Sequence, residues 1–160
     1  MTDNGFAAIG LHNPKNAINV GHVLRAADCY GANLVTIQGD RHSESLRTAT
    51  DTTKAIYRIP VIRTADLRSV IPFNCVPVAV ELVPNAESLV TYQHPRQAYY
   101  IFGAEDATLG QKVLSWCRDV IYVPTNHCMN LSATVNTVLY DRLAKQTQSA
   151  NQQRDLCTVG

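Results

Sequence analysis

The sequence predicts an α/β fold, a layered and mostly parallel sheet flanked by helices, and three observations carry that expectation. Apolar runs of strand length alternate along the chain with stretches of helical periodicity, the order that βαβ units produce. Clusters of Gly, Pro, Asn and Asp punctuate the joins. The stretch from Val120 to Leu143 begins as a buried strand, breaks at Pro124, crosses a polar turn and restarts as a helix led by Asn130, Leu131 and Ser132. In such a sheet, a strand-to-helix turn aims backbone N–H groups and the positive end of a helix dipole into the crevice beyond the strand. An ordinary connection between strand and helix would read the same way on this stretch alone.

At 160 residues and 46% apolar composition, one domain is expected, over residues 1–145, followed by a polar tail over 146–160. Phe6 to Leu11 reads as a buried strand, and His12-Asn13-Pro14-Lys15-Asn16 as a loop. A helix starts near Asn19. Val20, Val23, Leu24 and Ala27 repeat at i, i+3, i+4 and i+7 and share one face, Arg25 falls toward the other, and Gly31 closes the helix. Gly21 costs that helix about 1 kcal/mol against alanine, which reads either as a close approach to its backbone or as plain helix packing.

Leu34 to Ile37 forms a second strand, ending at Gly39-Asp40. Arg41 to Arg63 is polar and Thr-rich, and Arg41, Arg47, Lys54, Arg58 and Arg63, with Tyr57 interleaved, read either as a phosphate-contacting surface or as solvated helix and loop. A short strand at Val61-Ile62 follows, then a helix over Ala65 to Val70, strands over Pro77 to Leu82 and Ala98 to Phe102, and a helix from Leu109 to Cys117. The last helix carries an apolar stripe of Leu131, Val135 and Val138 beside a wetter seam of Ser132, Asn136 and Leu143, suited to an interface. Beyond Lys145 the glutamines and serines predict frayed or disordered chain.

No apolar run approaches the roughly 18 residues of a membrane span, and Met1 to Gly5 lacks a signal-peptide layout, so a cytoplasmic protein is expected. Five cysteines without CxxC spacing argue against a disulfide framework and against structural zinc, and the scattered histidines add no metal site. A net charge of +1 neither suggests nor excludes nucleic acid, which a local basic patch can hold.

Three segments taken together resemble the SpoU/TrmH family of S-adenosylmethionine-dependent RNA ribose methyltransferases, within the SPOUT superfamily. Asn19-Val20-Gly21-His22-Val23-Leu24-Arg25-Ala26 is similar to the family's first motif, an Asn and an Arg six apart with Gly between. Ile101-Phe102-Gly103-Ala104-Glu105 is similar to the Phe-Gly-x-Glu of the second. Val123-Pro124, Met129-Asn130-Leu131-Ser132 and Leu139-Tyr140-Asp141 are similar to the third. The resemblance covers residues 6 to 145 and implies a deep trefoil knot in the C-terminal part of the sheet, which chain-topology rules would not propose. It also implies a homodimer whose active sites draw on both copies.

By the same resemblance, Arg25 matches the arginine that acts on the ribose 2′-hydroxyl, with Asn19 supporting it. An arginine stays protonated in proteins, so Arg25 would orient the hydroxyl and stabilise the alkoxide while phosphate or water takes the proton. Gly103 matches the close-approach glycine of the cofactor pocket, Glu105 the carboxylate that holds the loop, and Asn130 the asparagine that organises the third motif. Val80, Val123, Cys128 and Leu131 would line the S-adenosylmethionine site.

The chain departs from the family where Asp106-Ala107-Thr108-Leu109 precedes Gly110 and where Cys128-Met129-Asn130 replaces Ser-Leu-Asn. The resemblance is to the minimal members that methylate tRNA, notably at the wobble ribose. Ribosomal RNA is the alternative substrate. Two other classes of function compete: a knotted RNA-binding dimer without catalysis, and a hydrolase using Cys128 as a thiolate at a helix N-terminus.

Overall fold

The computed structural model describes residues 5–41 and 54–157. Seven strands form one sheet: β1 (Phe6–His12), β2 (Leu34–Gln38), β3 (Val61–Thr64), β4 (Val76–Val80), β5 (Glu87–Ser88), β6 (Gln97–Phe102) and β7 (Asp119–Tyr122). Their order is β3-β2-β1-β6-β4-β7-β5, and every pairing is parallel. The C-terminal ends of β1, β2, β4, β6 and β7 therefore share one edge. At that edge lie the loops that leave each strand, the usual place for ligands in such a sheet.

Among the described residues, three helices flank the sheet: α1 (Ala17–Cys29), α2 (Gly110–Leu114) and α3 (Leu131–Cys157). Alternate residues of each strand face opposite layers. Ile9, Leu11, Tyr100 and Phe102 pack with Val20, Val23, Leu24 and Ala27 of α1 and Leu131, Val135 and Val138 of α3. Ala8, Tyr99 and Ile101 face the other way, onto Leu67, Leu109 and Val113. The four apolar positions expected to share a face of α1 are all buried, and α1 packs against α3. At the end of α1, Gly31 takes a positive φ of 69° and Ala32 N–H donates back to the Ala27 carbonyl at 2.8 Å, so a left-handed glycine does close the helix.

The sequence expectations fail at several element ends. The helix expected over Ala65 to Val70 is a 3-10 turn over Leu67–Val70, capped by the Asp66 carboxylate, which accepts from Arg68 N–H at 3.1 Å. The helix expected from Leu109 to Cys117 shrinks to α2, although Leu109 and Val113 are buried as its apolar spacing required. β4 stops at Val80, two residues short of the expected Leu82, although Glu81 N–H still donates to the Ile121 carbonyl at 2.9 Å. The chain beyond Lys145, expected to fray, continues as α3 to Cys157. Of the basic stretch, residues 42–53, including Arg47, lie outside the described residues.

A buried polar cluster ties α3 to β6 and to the segment that leads into it. Arg142, only 4% exposed, donates to the Pro95 carbonyl (2.5 Å), the Arg96 carbonyl (2.7 Å) and the Tyr100 hydroxyl (3.2 Å). His94 bridges Tyr100 Oη at 2.6 Å and Asp141 at 2.8 Å, and Lys145 pairs with the same carboxylate at 2.7 Å. These groups satisfy carbonyls that leave the sheet ladder between β5 and β6, which burial would otherwise penalise. Among the described residues, no helix is long and apolar enough to cross a membrane.

Candidate active site

The site is assembled where three loops meet the first turns of α1 and α3. Asn130 caps α3: its Oδ1 accepts from Ser132 N–H at 2.8 Å, Ser132 Oγ–H at 2.7 Å and Ala133 N–H at 3.4 Å. Its Nδ2 donates to Asn19 Oδ1 at 3.0 Å, and Asn19 Nδ2 donates to Glu105 Oε1 at 2.6 Å. The second Glu105 oxygen accepts from Lys15 N–H at 3.0 Å. A carboxylate can only accept, so the Asn19 amide must turn its nitrogen to Glu105 and its oxygen to Asn130. The relay thus has one internally consistent sense.

This relay explains why an asparagine lies on the apolar face of α1. Asn19 is 9% exposed, and both ends of its amide have partners, which is what burial of a polar group requires. Residues 86 and 111 positions apart in sequence are thereby joined through one side chain. Partial burial pushes the Glu105 carboxyl up, but the hydrogen bonds from Asn19 and from the Lys15 N–H outweigh it and hold it below its ordinary value.

Beside the relay opens a cavity of about 990 Å³. Val80, Gly103, Val123, Cys128 and Leu131 all line it, as does Glu105. Gly103 is tight for a reason within the chain: a Cβ there would stand 3.2 Å from the Ala107 carbonyl oxygen and 3.5 Å from Leu109 Cγ. The loop from β6 to α2 folds back over it. Cys128 is a free, exposed thiol.

The structure does not bring Arg25 to this cluster. Arg25 follows Asn19 by six residues on α1, which places it about 9 Å along the helix axis and about 120° round it. Its side chain is exposed. Asn19, Glu105 and Asn130 converge; Arg25 stands apart within one chain.

Two features of the site were not singled out from sequence. Glu81 lines the cavity, and its carboxylate accepts from Leu109 N–H at 2.8 Å and from its own neighbour Leu82 N–H at 2.9 Å, holding two walls together. The signal available was a carboxylate at the end of an apolar strand. Asp106, also in the lining, receives a two-pronged contact from Arg41 (3.2 and 2.9 Å) and a looser one from Lys15 at 3.4 Å. Hydrogen bonds from Arg41 hold the Asp106 carboxyl down at about 2. Among the described residues, no three His, Cys, Asp or Glu side chains gather as a metal site.

A sequence model of the SpoU rRNA methylase family matches residues 7–140. The chain belongs to that family. No curated protein sequence matches it. Among solved structures, this SpoU-family chain superposes on the SpoU methyltransferase AviRb from Streptomyces viridochromogenes with a TM-score of 0.77 and 17% identity, covering 93% of this chain and 62% of AviRb. AviRb has also been solved in complex with the cofactor AdoMet. The A. aeolicus TrmH/SpoU tRNA modifying enzyme gives a TM-score of 0.77 at 14% identity, over 94% of this chain and 78% of that one. A structure solved for the 2-OH methylation of C/U34 on tRNA gives 0.75 at 18% identity, over 91% of this chain and 99% of that one. At such identities the likeness is one of fold, and the chain spans about three-fifths of AviRb.

Proposed function

We propose that this SpoU-family protein transfers a methyl group from S-adenosylmethionine to a ribose 2′-hydroxyl of RNA, with tRNA as the substrate and its wobble nucleotide as the target. Ribosomal RNA is the second choice. The observation that carries the reading is the relay Glu105–Asn19–Asn130, which joins the three motif segments at the mouth of a cavity. A cavity of about 990 Å³ is in the range that holds a nucleoside-sized ligand. Its apolar walls, Val80, Phe102, Val123 and Leu131, suit an adenosine, and the carboxylates of Glu81 and Glu105 suit a cationic ligand.

S-adenosylmethionine supplies an electrophilic methyl carbon on a sulfonium. The chain's own residues supply position. Glu81 and Glu105 fix the β4 and β6 loops against α2 and α1 through backbone N–H groups, and Asn130 fixes the start of α3. Alignment of the reacting atoms can account for much of a methyl transfer's acceleration. Arg25, cationic throughout, orients the 2′-hydroxyl and stabilises its alkoxide, while an RNA phosphate or water takes the proton.

The position of Arg25, about 120° round α1 from Asn19, makes a homodimer part of the proposal: Arg25 of one copy serves the cavity of the other. Support comes from apolar groups left exposed on the two packed helices, Ile18 at 53% on α1 and Tyr140 at 61% on α3, next to the half-buried Ser132 and Asn136. A trefoil knot belongs to the same reading, as the likeness to the family implies. A cytoplasmic setting accords with the free thiols of Cys29, Cys75, Cys117 and Cys128.

The test is transfer of labelled methyl from S-adenosylmethionine to unmodified tRNA and ribosomal RNA, read by nucleoside mass spectrometry. A 2′-O-methylated nucleoside is expected. A base-methylated product, or no product from protein that binds the cofactor and both RNAs, would overturn the reading.

A further inference from the structure

Lys15, Arg41 and Asp106 form a cluster that the site described above leaves without a task. Lys15 comes from the loop after β1, Arg41 from the loop after β2 and Asp106 from the loop after β6. Two cations thus meet one carboxylate at the cavity's rim, since Asp106 lines the cavity. Arg41 grips it as a fork, NH1 to Oδ1 at 3.2 Å and NH2 to Oδ2 at 2.9 Å, with NH1 also donating to the Asn13 carbonyl at 3.4 Å. Lys15 Nζ adds a contact at 3.4 Å.

The loops that carry the two cations are braced by backbone rather than by the carboxylate. Asn13 N–H donates to the Gln38 carbonyl at 2.9 Å, tying the first two loops together. Gly39, at φ +95°, lies so close to Asn13 that a Cβ would stand 2.2 Å from its Oδ1. The Lys15 N–H is anchored on Glu105 at 3.0 Å. The main chain that carries Lys15 and Arg41 is therefore held without Asp106, and Arg41 keeps its 3.4 Å contact to the Asn13 carbonyl.

Asp106 itself is easily displaced. The side chains of Lys15, Arg41 and Asp106 are 60%, 40% and 41% exposed, and ion pairs in such surroundings contribute little to stability. The neighbouring Glu105 is already committed to Asn19 and the Lys15 N–H. A guanidinium fork accepts phosphate in the geometry it uses for carboxylate.

We propose that Lys15 and Arg41 grip a backbone phosphate of the RNA beside the ribose offered to the cavity, and that Asp106 occupies the grip until RNA displaces it. This rests on the RNA reading above and deepens it. Asp106 is then a built-in competitor, and removing its charge strengthens RNA binding, whereas removing either cation weakens it.

The experiment compares wild type, Lys15→Gln, Arg41→Gln, the double variant of these two and Asp106→Asn for binding of an unmodified tRNA transcript by fluorescence anisotropy across a salt series. S-adenosylmethionine affinity is measured by calorimetry alongside and also reports folding. Arg41→Gln and Lys15→Gln are each expected to weaken tRNA binding several-fold, and the double variant to flatten the log K against log salt slope by about 0.7 to 0.9, the share of one phosphate. Asp106→Asn is expected to tighten tRNA binding several-fold. If Asp106→Asn weakens binding as Arg41→Gln does, the cluster is only a loop brace and the inference falls. It falls as well if Arg41→Gln loosens S-adenosylmethionine instead of tRNA, because the anion held would be the cofactor's carboxylate. Wild-type protein that binds tRNA but methylates no RNA would retire the parent reading, while the opposite signs of Asp106→Asn and Arg41→Gln would still decide this one.

Discussion

Replacing Asn19 with aspartate tests the relay at its middle member. The substitution exchanges an N–H donor for a second carboxylate oxygen, 2.6 Å from Glu105 Oε1 if nothing moves. Two unit charges at that distance repel by about 2 to 6 kcal/mol for an effective dielectric between about 80 and 20, the range suited to a buried residue facing a half-exposed one. Taking up one proton relieves the repulsion, so the pair shares a proton and its apparent pKa is raised above the ordinary carboxyl value. In the wild type Glu105 titrates below its ordinary value, so its stabilisation is present above the unfolded carboxyl pKa and is lost as pH falls through the folded one. Asn19→Asp inverts that sign: its folded pKa lies above the unfolded value, and stability rises as pH falls from 8 toward 5. Asn19→Ala is the control, losing about 2 to 3 kcal/mol from a charged and a neutral hydrogen bond with no such inversion. Thermal unfolding of all three proteins at pH 5, 6, 7 and 8 provides the measurement. If Asn19→Asp tracks Asn19→Ala at every pH, the two groups are not in contact and the relay is wrong.

The remaining predictions concern chemistry, assembly and the buried cluster. Arg25→Ala should reduce methyl transfer at least a hundredfold while moving S-adenosylmethionine affinity less than twofold; equal loss of both would remove Arg25 from the chemistry. Gly103→Val should disable the cavity, since a side chain there meets the Ala107 carbonyl. Co-expressed Arg25→Ala and Gly103→Val should together regain about a quarter of wild-type activity, because half of randomly paired dimers are mixed and each holds one complete site; no regain would mean that Arg25 serves its own chain. His94 is buried with its pKa lowered by that burial despite Asp141 beside it, so its contribution is complete above about 6.5 and lost as pH falls. His94→Gln should be less stable than wild type at pH 7.5 by about 1 to 2 kcal/mol from lost hydrogen bonds, yet flatter between pH 7 and 5 in thermal unfolding. Cys128→Ser should remain active in the methyl-transfer assay, and a folded but inactive variant would favour the thiolate reading.

What the sequence made legible divides along physical lines. The helical repeat of Val20, Val23, Leu24 and Ala27 reports burial directly, and all four are buried. The strands announced themselves because a parallel sheet covered on both faces makes each central strand a continuous apolar run. The two residues of β5 are too short for any period, and the polar end of α3 carries no apolar stripe to distinguish helix from frayed chain. Glutamine and alanine there have adequate helix propensity, so polarity alone does not imply disorder. His94 with Asp141, and Arg41 with Asp106, pair across 47 and 65 positions. No local pattern encodes such contacts; only the fold's return of distant segments to one place creates them.

Arg25 is the instructive case, because sequence proximity there misleads about space. Asn19 and Arg25 read as one motif, six residues apart on one helix. Asn19 turns inward, buried and committed at both ends of its amide to Glu105 and Asn130. Arg25, about 120° round the same helix, turns outward, near exposed Ile18 and His22 on the face away from the core. A side chain cannot cross that separation without leaving the helix, and α1 is held along its length by Val20, Val23, Leu24 and Ala27. The motif therefore joins residues with two addresses: one organises the chain's own cavity, and the other is available only to something docked on the outside of α1. If the reaction needs both, the second copy is a chemical requirement, and dilution below the dimer dissociation constant should abolish methyl transfer while each separated chain keeps its relay.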